Sequence, residues 1–109
     1  MLFERTMQAT KLMAFVLAAC LPVAAWAASV QVTIQGMDFH PSTLTVAPGT
    51  TVTWTNEDSF SHATTSDTKV WDSGLLAPHQ SFSTTLEKPG TYPYHCAIHS
   101  FMTGAVVVK

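Results

Sequence analysis

The chain has 109 residues, 47% of them hydrophobic and 11% charged, with a formal net charge of −2. That length points to one small domain, and the slightly acidic balance offers no basic surface for nucleic acid.

In chain order, the first feature is a targeting segment. Arg5 and Lys11 precede an apolar run from Leu12 to Ala24, which ends in Ala25-Trp26-Ala27-Ala28. A basic start, an apolar middle and a small-residue end are the three parts of a secretory signal peptide. The run is shorter than a membrane span of roughly 18–20 residues, contains Pro22, and is not followed by a second apolar segment. The expected division is therefore a signal peptide over 1–27 and one domain over 28–109, exported to the periplasm. Leu17-Ala18-Ala19-Cys20 offers an alternative in which Cys20 is lipidated and tethers the domain to a membrane. The apolar residues that follow Cys20 make a poor tether, because a tether is polar and flexible.

Cleavage after Ala27 leaves three lysines (Lys69, Lys88, Lys109) against six carboxylates (Asp38, Glu57, Asp58, Asp67, Asp72, Glu87), a net charge of −3. Cys96 is then the one cysteine left, so this small exported domain has no internal disulfide. Cys96 is either an inert core thiol or a metal ligand.

From Ser29 onward, Val and Thr alternate with period two and Gly and Pro fall at breaks, the pattern of an all-β sandwich. Strands are expected at 29–35, 43–46, 51–56, roughly 61–65, 81–86, 90–96 and 105–109. Ala47-Pro48-Gly49-Thr50 and Glu87-Lys88-Pro89-Gly90 place Pro before Gly, as type II turns favour. Val52 and Trp54 share an inward face, with Thr51, Thr53 and Thr55 facing water. Trp54, Phe82 and Tyr94 are expected in the core.

The chemistry is concentrated in Tyr92-Pro93-Tyr94-His95-Cys96-Ala97-Ile98-His99-Ser100-Phe101-Met102. Cys96, His99 and Met102 put a thiolate, an imidazole and a thioether at intervals of three on one short loop. Two histidines and a cysteine in a trigonal set with a weak Met suit copper in both oxidation states: the sulfurs favour Cu(I) and imidazole serves Cu(II). Zinc fits less well, because Met is a poor zinc ligand and structural zinc sites prefer paired cysteines or closed Cys/His tetrads. The remaining ligand must come from His40, His62, His79 or His95. His95 neighbours Cys96 on one strand and so points to the opposite face. His62, after a loop from the strand ending at Asn56, is the better candidate. His40, His79 and His95 are expected to face solvent.

These residues resemble the cupredoxin family, and the C-x-x-H-x-x-M spacing is similar to the amicyanins rather than to the longer loops of plastocyanins, pseudoazurins and azurins. The resemblance spans the whole mature chain. It includes Gly36-Met37-Asp38-Phe39-His40-Pro41, the run from Val46 to Asn56, His62, and Gly90 to Cys96. It implies a Greek-key β-sandwich of about seven to eight strands and one type 1 copper held by His62, Cys96, His99 and Met102. It also implies that Asn56 ties the His62 loop to the Cys96 loop. The implied function is single-electron transfer by a monomer that docks redox proteins transiently near His99, where Phe60, Leu76, Phe101 and Met102 would form an apolar collar. A copper-buffering or delivery protein is the alternative use of such a site. An enzyme with further coppers would need H-x-H pairs, which the chain lacks.

Two residues depart from the family pattern: Ile98 and Ser100 stand where related short loops carry Pro. Proline has no N–H, so Ile98 restores a donor near the sulfur, and hydrogen bonds to the thiolate tune the copper potential. On this reading the potential exceeds that of an Ile98→Pro variant. His99 is also a place where acid could displace a Cu(I) ligand by protonation.

Overall fold

The structure is a computed structural model that describes residues 28–109. The expected signal peptide, its cleavage point and the Cys20 alternative lie outside the described residues.

Eight strands follow one another: β1 Ser29–Gln35, β2 Asp38–His40, β3 Thr43–Val46, β4 Thr50–Asn56, β5 Thr65–Ser66, β6 Ser81–Leu86, β7 Gly90–His95 and β8 Thr103–Val108. They form two four-stranded sheets, ordered β2-β1-β4-β6 and β3-β8-β7-β5. β1 runs parallel to β4, and β3 parallel to β8; the other pairs are antiparallel. Between the parallel neighbours β1 and β4 the chain crosses to the second sheet to lay down β3, and this crossing knits the two sheets together. Among the described residues there is no helix.

Alternation sets which side chains fill the space between the sheets. Val32, Ile34, Val52 and Trp54 are fully buried from the first sheet, and Val106 from the second, with Leu44, Val46, Tyr94 and Val108 close behind. Burying each such aliphatic side chain is worth about 1.5–3 kcal/mol relative to leaving it in water. On the outer face of the first sheet the hydroxyls of Thr51, Thr53 and Thr55 pair across the strands with Thr85, Ser83 and Ser81 at 2.8, 2.7 and 2.7 Å. The alternation expected for β4 is thus the one the structure has.

Three local features differ from the sequence reading. The strand expected near 61–65 shrinks to Thr65–Ser66, with His62 in a lone bridge to Leu76. The reason is where its N–H groups go: Ala63 donates to Cys96 Sγ and Thr64 to Ser73 Oγ, so neither can join a ladder. The short strand β2 was not expected; it follows a tight turn at Gly36 and Met37, both with left-handed backbone (φ 63° and 59°), as a two-residue hairpin turn requires. The last strand begins at Thr103, where it pairs with His95, and ends at Val108. Of the two expected turns, Gly49 has the positive φ of a type II turn (86°) and Thr50 N–H reaches Ala47 O at 3.2 Å. Gly90, at φ 158°, does not have it.

Candidate metal centre

β7 and β8 are paired as far as His95 and Thr103, so the intervening loop from Cys96 to Met102 emerges at one end of the sandwich. Two backbone bonds close it: Cys96 N–H to Met102 O at 3.0 Å and Met102 N–H to His99 O at 2.9 Å. Cys96 and Met102 are completely buried as a result, while Ile98 and Phe101 face outward. His62 arrives from the β4–β5 connection, held by paired backbone bonds with Leu76 (3.1 and 2.7 Å), and is itself fully buried.

These placements bring three donor atoms together. His62 Nδ1 and His99 Nδ1 are 3.2 Å apart, and Cys96 Sγ lies 4.0 Å from the first and 3.8 Å from the second. An ion about 2.05 Å from each nitrogen and about 2.3 Å from sulfur would see this triangle at angles of roughly 103°, 134° and 122°, which total nearly a full circle. The three atoms therefore fit an ion lying close to their plane. That matches the trigonal His2Cys arrangement of a type 1 copper site. Met102, buried at the end of the same loop, supplies the soft thioether that such a site takes as its weak partner. The expected residues His62, Cys96, His99 and Met102 are arranged as in a type 1 copper site.

Around the donors the chain spends several hydrogen bonds. Ala63 N–H reaches Cys96 Sγ at 3.3 Å. Ile98 N–H, expected near the sulfur, forms no hydrogen bond to it among the described residues. His62 Nε2 meets Asp58 Oδ2 at 2.8 Å. Burial pushes the Asp58 carboxyl up, but the N–H groups of Met37 and Gly36 together with the His62 imidazole outweigh it and hold the group below the usual carboxylate range.

Asn56 does not tie to the Cys96 loop as expected. Its amide donates to Phe60 O (2.7 Å) and Leu76 O (2.9 Å) and accepts from Asp58 N–H (2.9 Å). It braces the segment that carries His62, because that segment turns back over the end of β4.

The apolar collar also differs in membership. Leu76 and Met102 are buried, whereas Phe60 is 61% exposed, Leu75 68% and Phe101 70%. Ring centroids of His99 and Phe101 lie 6.0 Å apart, so the exposed Phe101 adjoins the half-exposed ligand. Leu75 and Leu76 alternate in direction at the His62 bridge, and sequence adjacency alone does not say which one turns inward.

The other histidines stay off the centre. His95 Nδ1 bonds exposed Asp67 at 2.6 Å on the outer side of its strand. His79 is a solvent-facing residue with left-handed backbone (φ 68°), a position that suits Gly. His40 is exposed and hydrogen bonds through Nε2 to Gln35 O at 2.9 Å. Asp58 and Ala63 are the site residues that sequence reasoning missed. A carboxylate four positions before a ligand histidine was a signal for Asp58, but in a loop that spacing carries no fixed geometry.

Comparison with known proteins agrees with this geometry. The sequence profile of the cupredoxin-like domain matches residues 8–108. Amicyanin-alpha of Methylorubrum extorquens is 34% identical over 88 residues, 76% of this chain and 74% of that protein. The chloroplastic plastocyanin of Physcomitrium patens is 33% identical over 86 residues, 67% of this chain; the match spans 51% of that protein, about half its length. Among solved structures, an amicyanin variant in its Cu(I) form superposes with a TM-score of 0.71 at 32% identity, covering 74% of this chain and 82% of that one. A copper-containing nitrite reductase from Thermus scotoductus superposes equally well (0.71, 31% identity) over 84% of this chain, but that is 26% of the enzyme chain.

Proposed function

This chain belongs to the cupredoxin family, and on that premise we propose that it is a small exported blue-copper protein that shuttles single electrons between redox partners. His62 and His99 would hold the copper through Nδ1, Cys96 through its thiolate and Met102 through its thioether. The observation that carries this reading is the triangle of two nitrogens and one sulfur with sides of 3.2, 4.0 and 3.8 Å, with a buried methionine at the end of the same loop.

Bound copper supplies one-electron chemistry by cycling between two oxidation states. The protein's part is to keep the donors still. Cys96 and Met102 are fixed by the two backbone bonds that close their loop, and His62 by its bridge to Leu76 and its bond to Asp58. Fixed ligands make each transfer a step with little rearrangement. Burial of Cys96, His62 and Met102 keeps water away from the thiolate, while His99 remains half exposed and offers an edge through which the electron passes. The exposed Phe101, whose ring lies beside that edge, and the neighbouring Ile98 belong to the face on which a redox protein docks transiently. No substrate bond is made or broken. The likeness to amicyanin and the signal-like residues 1–27 support a periplasmic location.

A copper-buffering or delivery protein has use for the same donors, and the two readings part on behaviour. In voltammetry of the copper-loaded protein with a copper chelator present, the carrier gives equal oxidation and reduction waves through repeated cycles with the metal retained. Copper lost to the chelator on reduction would support buffering instead.

A further inference from the structure

We infer that Asp58 is a positioning residue of the metal centre: clamped by the turn between β1 and β2, its carboxylate fixes His62 with Nδ1 turned toward the donors and sets a permanent negative charge beside that ligand. The inference rests on the copper reading above and deepens it.

Asp58 is gripped from two directions. Gly36 N–H donates to Oδ1 at 2.7 Å and Met37 N–H to Oδ2 at 2.9 Å. Gly36 and Met37 share left-handed backbone, which turns two successive N–H groups to one side and forms a concavity for an anion. The turn joins β1 to β2, so the grip is anchored to the first sheet. From the other side, Asp58 N–H bonds Asn56 Oδ1 at 2.9 Å, which fixes the backbone that carries the carboxylate.

This arrangement decides the His62 tautomer. Backbone N–H groups can only donate, so both carboxylate oxygens are already acceptors when His62 Nε2 meets Oδ2 at 2.8 Å. The bond forms only if Nε2 carries the proton. A neutral imidazole protonated at Nε2 keeps its lone pair on Nδ1, the atom that faces His99 Nδ1 and Cys96 Sγ. Water cannot easily substitute for this contact, because the His62 side chain is 0% exposed and that of Asp58 only 13%.

Two consequences follow. Preorganising His62 raises affinity for the metal, and partners of this kind are worth about 10–100-fold in affinity. The fixed negative charge favours Cu(II) over Cu(I), because the oxidised ion carries one more positive charge. Asp58 thus holds the potential down, and it links that potential to a turn 21 and 22 residues away in sequence. A residue that merely capped the β1–β2 turn would support folding without touching the potential.

The test compares the wild type with Asp58→Asn and Asp58→Glu, each with its copper. Asp58→Asn keeps the shape and removes the charge. We expect its Cu(II) affinity to fall about tenfold further than its Cu(I) affinity, a rise in potential of about 59 mV for one electron, with Asp58→Glu returning toward the wild-type value. A potential in Asp58→Asn equal to wild type, with melting temperature alone lowered, would overturn the inference. Nitrogen NMR of the metal-free wild type adds a readout independent of copper: His62 protonated at Nε2 supports the inference, and protonation at Nδ1 overturns it even if the variants fail to fold. A wild type that gives no blue copper complex would instead defeat the copper reading, while the tautomer would still report on the positioning.

Discussion

Tyr94 lies two residues before the Cys96 thiol and packs against Phe39, Trp54 and Trp71, with ring centroids 4.8, 5.4 and 5.8 Å away. Its hydroxyl and the Trp54 indole nitrogen are buried, and neither has a hydrogen-bond partner among the described residues. Burial pushes the phenol up to about 12. The unfolded chain releases this proton near pH 10 and the folded protein near pH 12. The contribution of Tyr94 to stability is therefore intact below about pH 10 and is lost as pH rises toward about 12, on the order of 3 kcal/mol. Tyr94→Phe should flatten that alkaline decline while leaving neutral-pH stability equal or higher, because an unpaired buried hydroxyl is removed. Denaturant melts of both proteins across this range check it; a decline of equal slope in the variant would contradict it.

The same ring constrains an element. β8 crosses β7 with Gly104 opposite Tyr94, and a Cβ at Gly104 would stand 2.5 Å from the phenol ring and 2.8 Å from Ser42 O. The strand must be thin at this point, so a Gly in a strand interior, normally a weakness, is required here. Gly104→Ala should cost about 1–3 kcal/mol through overpacking, a fall in melting temperature on the order of 5–20 °C for a domain of this size. An unchanged melting temperature would show that the strands can part without cost.

How legible each element was in the sequence follows from what holds it. β1 and β3 were readable because one face is apolar along the whole strand, and β4 and β6 because Val52 and Trp54, and Phe82 and Leu86, alternate with outward hydroxyl residues; period-two alternation records this directly. β2 and β5, with three and two residues, are too short to show a period. The segment around His62 was read as a strand because its composition suits one, yet its N–H groups go to Cys96 Sγ and Ser73 Oγ, partners that only the tertiary fold brings near. The ligand set was legible because three donors share one loop at fixed spacing. The roles of Asp58 and Asn56 were not, because each acts on chain brought close by the turns between strands.

At the scale of the whole molecule, one end of the sandwich holds the centre, and the rest of the fold holds that end still. The sheets bury Cys96, His62 and Met102 and leave His99 half exposed with the exposed Phe101 ring 6.0 Å away. A buried thiolate bound to copper and an exposed imidazole beside it are what a carrier needs: a stable redox centre and a short route to its surface. The central claim is the bond between the Cys96 thiolate and copper. It is tested most directly by the visible spectrum of the protein with Cu(II), before and after reduction, beside a Cys96→Ser variant. The account predicts an intense blue band that bleaches on reduction, returns on oxidation and is absent from the variant. A pale or missing band in the wild type, or a blue band that survives in the variant, would contradict it.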